Sequence, residues 1–233
     1  MVLDLIAHYQ NFEQDIRTLQ TYRHHILYRY NSKGIRMKLN AEIAEELKKT
    51  NGVLTTAQIE ALGFSRMTLS LYVKAGLLER IGHGVYALPD EARDDMFLLA
   101  LNNSKIIFSH DTALFLNGLA NRTPFIHSVT IPKNASLSPT IRSQCVCFYV
   151  KPELHLLGRI ERKTTFGNTV ACYNIERTLC DMLKDRRRCD EETVLNAVKS
   201  YAGYAGKDLT LLADYAEKLN VQSKIRRYLE VLL

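Results

Sequence analysis

With 233 residues the chain is long enough for two domains, each with its own core. Hydrophobic residues make up 46% and charged residues 24%, the balance of a folded protein rather than a disordered one. No apolar run approaches the roughly 20 residues that a membrane-spanning helix needs. Asp4, His8 and Glu13 also interrupt any signal-peptide core, so a cytoplasmic protein with no membrane partner is expected. The net charge of +6 is uneven. Lys plus Arg minus Asp plus Glu is 5 − 3 = +2 over residues 1–36, 7 − 9 = −2 over 37–95 and 19 − 13 = +6 over 96–233. A basic chain suits nucleic acid, because neutralised phosphates supply most non-specific affinity.

Three segments are expected: an N-terminal extension over 1–36, a DNA-binding domain over 37–90, and an α+β domain over 91–233. In the extension, Val2, Leu5, Ile6, Tyr9, Phe12, Ile16 and Leu19 recur at helical spacing. A second reading stands beside that helix. Lys33-Gly34 lies just upstream of Met37, and codons for Lys-Gly can spell a purine-rich ribosome-binding site, which would make Met37 the start.

From Asn40 the pattern sharpens. Ile43 and Leu47, and after them Val53-Leu54, recur at helical spacing, with Glu42, Glu45, Glu46, Lys48 and Lys49 outward; Asn51-Gly52 stops this helix. Thr55 caps a second helix, Gln58 completes a capping box, and Gly63 ends it. Ser65 caps a third helix that runs to about Ala75 and stops at Gly76. Leu78–Ile81 and Val85-Tyr86 flank a Gly82-His83-Gly84 tip, the pattern of a β-hairpin. Helix, turn, helix and hairpin make a winged helix-turn-helix, which inserts one helix into the DNA major groove.

In the third helix Leu69, Tyr72 and Val73 share an inward face. Ser65, Arg66, Met67, Thr68, Ser70 and Lys74 are left as the DNA-contact candidates. Arg66 can pair bidentately with guanine, and Thr68 and Ser70 can reach bases or phosphates. Arg80 and His83 sit on the wing, suited to the DNA backbone or the minor groove. The competing reading is a winged helix used as a protein-interaction module without DNA binding, which the weak local charge favours.

Beyond Pro89, helices are expected from Asp94 to Leu101 and from a Ser109 cap to Leu116, with a short strand at Ile106–Phe108. Strands follow over 128–132, 145–151, 159–163 and 170–173, with a turn at Phe166-Gly167-Asn168. Helices then start near Asn174, Asp190, Asp208 and Val221. A mixed sheet packed by helices is an α+β arrangement. Arg186-Arg187-Arg188 is the densest basic run, read either as a solvated loop or as a phosphate clamp that Lys224, Arg226 and Arg227 extend.

Enzyme signals are thin. Cys145 and Cys147 alternate on one strand face, Cys172, Cys180 and Cys189 are scattered, and no C-x-x-C pair or zinc spacing occurs. Buried thiols, no metal and no cofactor are the expectation. His110-Asp111 is a candidate acid–base pair, but adjacent helical residues do not face each other, and Asp111 suits the helix dipole. Glu161-Arg162-Lys163 fits an acid-x-Lys triplet that could hold a metal and assist an attacking water, giving a metal-dependent nuclease as the alternative function. Such triplets arise by chance, as Glu46-Leu47-Lys48 shows. A non-enzyme is expected.

Three stretches carry a family resemblance: Gly76-Leu77-Leu78-Glu79-Arg80-Ile81-Gly82-His83-Gly84-Val85-Tyr86; Ser109-His110-Asp111-Thr112-Ala113-Leu114-Phe115-Leu116-Asn117-Gly118-Leu119; and Tyr173-Asn174-Ile175-Glu176-Arg177-Thr178-Leu179-Cys180-Asp181. The first is common to many winged helices; the second and third in this order are more specific. From about Asn40 to its C-terminus the chain resembles the AbiEi antitoxin family of abortive-infection, type IV toxin–antitoxin systems, which act in phage defence. The resemblance implies an autorepressor that binds inverted repeats in its own promoter cooperatively. It also implies a second domain that counteracts a nucleotidyltransferase-like toxin without a stable complex and assists repression. Ser109, His110, Glu176, Arg177 and Asp181 match the second domain's signatures without an assigned role, and residues 1–36 depart from the family pattern.

Overall fold

The computed structural model describes residues 28–30, 36–89, 92–120 and 122–232. The helix expected over residues 2–19 lies outside them. The chain divides into two compact units, Met1–Arg93 and Asp94–Leu233.

In the first unit, β1 (Tyr28–Tyr30) pairs antiparallel with β2 (Arg36–Lys38). Helix α1 (Ala41–Lys49) buries Ile43 and Leu47 and is capped by Asn40, whose side chain accepts from Glu42 N at 2.8 Å. It ends as expected at Asn51-Gly52, where both residues take positive φ. Val53-Leu54 does not continue the helical repeat. It forms β3 (Val53–Thr55), because the reversal at Asn51-Gly52 returns the chain alongside β5 (Val85–Ala87), and three residues are too few to show a strand period of their own.

Helix α2 (Thr56–Ala61) begins with the full capping box. Thr55 Oγ1 accepts from Gln58 N at 3.2 Å, and Gln58 Oε1 accepts from Thr55 N at 2.9 Å. Gly63, at φ 82°, turns the chain into α3 (Arg66–Lys74), and Gly76, at φ 68°, ends it. Ser65 is the N-cap residue of α3, yet its hydroxyl makes no bond to the helix backbone and instead lies 3.4 Å from Thr68 Oγ1. β4 (Glu79–Gly82) and β5 form the hairpin, and β3 completes a three-stranded antiparallel sheet in the order β3-β5-β4. Leu39, Ile43, Leu47, Leu54, Ile59, Leu69 and Tyr72 fill the core between helices and sheet.

The second unit is a mixed five-stranded sheet with helices, so the molecule is α+β with two further sheets besides the β1–β2 pair. Its elements are α4 (Asp95–Asn102), β6 (Ile107–Phe108), α5 (His110–Leu116), β7 (His127–Pro132), α6 (Pro139–Arg142), β8 (Cys145–Val150), β9 (Arg159–Lys163), β10 (Thr169–Tyr173), α7 (Ile175–Lys184), α8 (Glu191–Gly203), α9 (Leu209–Lys218) and α10 (Gln222–Leu232). The strand order is β8-β7-β6-β10-β9, with β7–β8 and β6–β10 parallel. Asp94 starts this unit buried, accepting from Phe97 N at the head of α4, from Thr164 Oγ1 at 2.5 Å and from Asn168 Nδ2 at 2.9 Å. One carboxylate thus fixes both α4 and the β9–β10 turn. One core lies between sheet and helices, and a second lies among α7, α8, α9 and α10.

Of the signature residues, Arg177 and Asp181 form a buried polar cluster under the segment 152–158. Arg177 is 0% exposed. Its Nε donates to Asp181 Oδ2 at 2.9 Å and its Nη1 to the carbonyls of Leu154 and Leu157 at 2.8 and 2.9 Å, while the guanidinium lies 4.3 Å from the Tyr173 ring centroid. Glu176 accepts from Tyr201 OH at 3.2 Å and from Asp208 N at 3.4 Å, tying α7 to α8 and to the start of α9. Gly158, at φ 76°, passes so close that a Cβ there would stand 2.7 Å from Arg177 Cβ. A buried ion pair that loses one member leaves an uncompensated charge, at a cost of about 3–5 kcal/mol. Arg177→Met should therefore lower the unfolding free energy by about that amount in urea titration, and Arg177→Met with Asp181→Leu should recover most of it.

Candidate nucleic-acid interface

The DNA-contact candidates lie on α3 and the hairpin, and two local devices hold these elements together. Thr56 N donates to Gly84 O at 2.8 Å, and Thr56 Oγ1 donates to the same carbonyl at 3.2 Å, so the hairpin tip is pinned to the first turn of α2. Gly84 needs its φ of 69°, and a Cβ there would come 3.1 Å from Thr56 Oγ1. At the other end, Tyr72 of α3 accepts from Asn40 N at 3.1 Å, fixing α3 against the start of α1.

Leu69 and Tyr72 are buried and Val73 is half-buried, the inward face the spacing predicts. Ser65, Arg66, Met67, Ser70 and Lys74 are exposed, and Thr68 is half-buried beside them. Positions 67, 70, 71 and 74 fall at i, i+3, i+4 and i+7, one continuous stripe opposite the buried residues. Sequence reasoning missed Leu71, which is 49% exposed on this stripe one turn after Met67, itself 72% exposed. The available signal was the i,i+4 spacing of two apolar residues away from the Leu69–Tyr72 face.

Arg66 lies at the flank of the stripe. Its Nε contacts Glu60 Oε1 at 2.7 Å across the α2–α3 turn, with the arginine side chain 77% exposed. The hydrogen bond it donates to Glu60, then the Glu60 charge, raises the guanidinium pKa still further, so Arg66 stays charged. An ion pair this exposed has little strength, and Arg66 can exchange Glu60 for another acceptor. Ser70 Oγ donates to Arg66 O at 3.3 Å. On the hairpin Arg80 is exposed, with Nε donating to Gly82 O at 3.3 Å, and His83 is exposed at the turn.

In the second unit the Arg186–Arg188 run forms a single 3-10 turn after α7, lining a cleft of about 860 Å³ with Lys184, Asp185, Cys189, Glu191 and Lys224. Two of the three arginines are engaged. Arg186 pairs with Glu191, and Arg188 donates to Cys147 O at 3.0 Å and stacks 4.1 Å over Phe148. Arg187 is exposed. Lys224 lines the same cleft, with its Nζ donating to Leu183 O at 2.9 Å and capping α7. Arg226 and Arg227 are exposed on α10.

The remaining enzyme-like residues take structural positions. Ser109 is fully buried; its hydroxyl does not cap α5 but lies 2.9 Å from His110 Nδ1 and accepts from Thr130 Oγ1 at 2.9 Å. His110, at φ 48°, stacks on Phe148 at 3.5 Å with Nε2 3.5 Å from Asp185 Oδ2. Burial pushes the Asp185 carboxyl up, but the His110 hydrogen bond and charge, with Lys184 and Arg188, outweigh it and hold the pKa below the usual value. Asp111 points elsewhere, and burial raises its carboxyl. Burial pushes the thiols of Cys145, Cys172, Cys180 and Cys189 up to about 12, which keeps them protonated, and all five cysteines are unbridged. Glu161 and Lys163 are exposed on edge strand β9, where Glu161 contacts Arg159 at 3.2 Å. Among the described residues no group of three or more His, Cys, Asp or Glu side chains is placed to hold a metal ion, and no helix is long and apolar enough to cross a membrane.

Residues 41–89, which hold α1 through the hairpin, match the family model described as a transcriptional regulator, AbiEi antitoxin, so the resemblance to that family holds for this segment. Among solved structures, the crystal structure of the RV2827C protein from Mycobacterium tuberculosis is similar, with 15% sequence identity and a TM-score of 0.43 over 82% of this chain and 79% of that one. No curated protein sequence matches the chain.

The capping box decides where α2 starts and so how α3 is presented. Thr55→Ala removes the side-chain acceptor for Gln58 N and should cost about 1 kcal/mol. Thermal unfolding should show that loss, with Thr55→Ser restoring stability.

Proposed function

We propose that the chain is an antitoxin and DNA-binding autorepressor, with residues 37–90 acting as a winged helix-turn-helix. In this reading α3 is the recognition helix, and the hairpin with Arg80 and His83 is the wing. The protein binds inverted repeats in the promoter of its own operon. Residues 91–233 counteract a nucleotidyltransferase-like toxin without a stable complex, and the chain performs no catalysis. The observation that carries the reading is the match of residues 41–89 to the AbiEi antitoxin regulators, over the same segment that presents the exposed stripe of α3.

The order helix, strand, two helices and hairpin, with the hairpin tip hydrogen-bonded to α2, supports a major-groove role for α3. Charge supports a division of labour. Residues 37–95 sum to 7 − 9 = −2 and residues 96–233 to 19 − 13 = +6. Phosphate attraction for the whole chain therefore comes mostly from outside the recognition segment, with Arg187 a candidate phosphate contact.

The test is titration of the full-length protein against its own upstream DNA and against random-sequence DNA at several salt concentrations. Preferential, steeply salt-dependent binding is expected. Lys74→Ala should weaken binding to all sequences and reduce the salt slope by about one. Arg66→Ala should weaken binding to upstream DNA more than to random DNA. Equal affinity for the two DNAs would overturn the reading.

A further inference from the structure

We propose that Met67 and Leu71 read thymine methyl groups in the major groove, so that these two apolar side chains set much of the base preference of α3. This rests on the DNA-binding reading above and specifies what α3 recognises.

Apart from Lys74, the polar side chains of this helix and its cap have acceptors or neighbours within the protein. Arg66 pairs with Glu60, Ser70 donates to the Arg66 carbonyl, and the Ser65 and Thr68 hydroxyls lie 3.4 Å apart. At the middle of the exposed stripe stand Met67 and Leu71, 72% and 49% exposed, on the side opposite buried Leu69 and Tyr72. Neither side chain can donate or accept a useful hydrogen bond, so any affinity they provide comes from covering apolar surface. In the major groove the apolar group on the base edges is the C5-methyl of thymine.

The stripe also carries a cation suited to DNA phosphate. Lys74 lies one turn beyond on the same stripe, so a cation stands next to the apolar pair, as suits a phosphate-lined groove. The segment's charge of 7 − 9 = −2 over residues 37–95 supplies little phosphate attraction. Phosphate contacts carry no sequence information in any case, so base preference has to come from contacts such as those of the apolar pair. Two side chains one helical turn apart suit adjacent base steps, and the unbranched thioether of Met67 adapts to the exact position of a methyl group.

The experiment uses full-length protein and upstream DNA made with deoxyuridine in place of thymidine, which removes the methyl groups and keeps the base pairing. Wild-type protein should bind the uracil DNA about fourfold more weakly for each methyl contacted. The double variant Met67→Ala/Leu71→Ala, whose changes are on the surface, should melt like wild type and bind the two DNAs with equal affinity. Three results would overturn the proposal. Wild-type protein indifferent to uracil would leave DNA binding intact but without methyl readout. A variant that keeps the full uracil effect would assign that effect to DNA shape. A variant with unchanged affinity for normal DNA would assign the apolar pair to a protein contact. Failure of wild-type protein to prefer upstream over random DNA would instead remove the DNA-binding reading itself.

Discussion

The geometry of the first unit depends on the junction at Thr55-Thr56. Strand β3 ends there, helix α2 begins there with its reciprocal cap, and the hairpin tip docks there through two hydrogen bonds to the Gly84 carbonyl. Helix α2 has six residues, far fewer than an isolated helix needs to be stable in water. Its cap and tertiary contacts hold it, and it in turn positions α3 across the Gly63 turn. The direction in which α3 presents Met67, Leu71 and Lys74 is therefore a consequence of bonds made outside that helix, at Thr55, Thr56 and Gly84. A recognition helix needs that rigidity, because base-edge contacts distinguish sequences only when their geometry is fixed.

In the second unit Arg177 plays the corresponding part. Its guanidinium satisfies two carbonyls of the 152–158 segment, pairs with Asp181 and covers the face of Tyr173. Replacing the cluster with apolar residues could be as stable, because desolvating two charges costs several kcal/mol for each ion. What the ionic version adds is a unique position for a segment that has no strand or helix ladder to hold it apart from one 3-10 turn. The second signature stretch follows the same logic. Ser109 and His110 link the start of α5 to β7 through Thr130 and to the end of α7 through Asp185. Ser109, His110 and Arg177 are at most 1% exposed and Asp181 5%, so these side chains act as buried connections.

Much of the fold was legible because its punctuation is local. Asn51-Gly52, Gly63 and Gly76 stop helices where the sequence says they should, and Thr55 with Gln58 spells its cap within four residues. The four C-terminal helices begin beside Asn174, Asp190, Asp208 and Val221 as expected. What could not be read required a distant partner. Val53-Leu54 becomes a strand only because Tyr86 and Ala87 lie alongside. The hydroxyls of Ser65 and Ser109 have the sequence of caps but find other neighbours. Lys224 reads as part of a basic surface, yet its ammonium is taken by carbonyls some 40 residues earlier. Within the candidate site the exposed face, Met67 included, was mostly legible from the 3.6-residue period, but Leu71 was not. A polar bias in reading DNA-contact residues favoured Arg66, whereas the stripe runs through Met67 and Leu71 with Arg66 drawn aside by Glu60.

The same arrangement explains how a locally acidic segment can serve a DNA-binding role. Glu42, Glu45 and Glu46 lie on α1, where Glu45 and Glu46 pair with Lys48 and Lys49 on the same helix. Glu79 is neutralised by Arg93. Most of the acidic excess is therefore spent away from the stripe, and fields between exposed charges fade over about 8–10 Å at physiological salt. Glu60 is the exception beside the stripe, and its position at the flank acts selectively. In the proposed reading it repels phosphates from one side of α3 and competes for Arg66 with a base edge such as O6 and N7 of guanine. An arginine held in this way has less freedom to bind phosphates non-specifically, because each such contact must replace the one to Glu60.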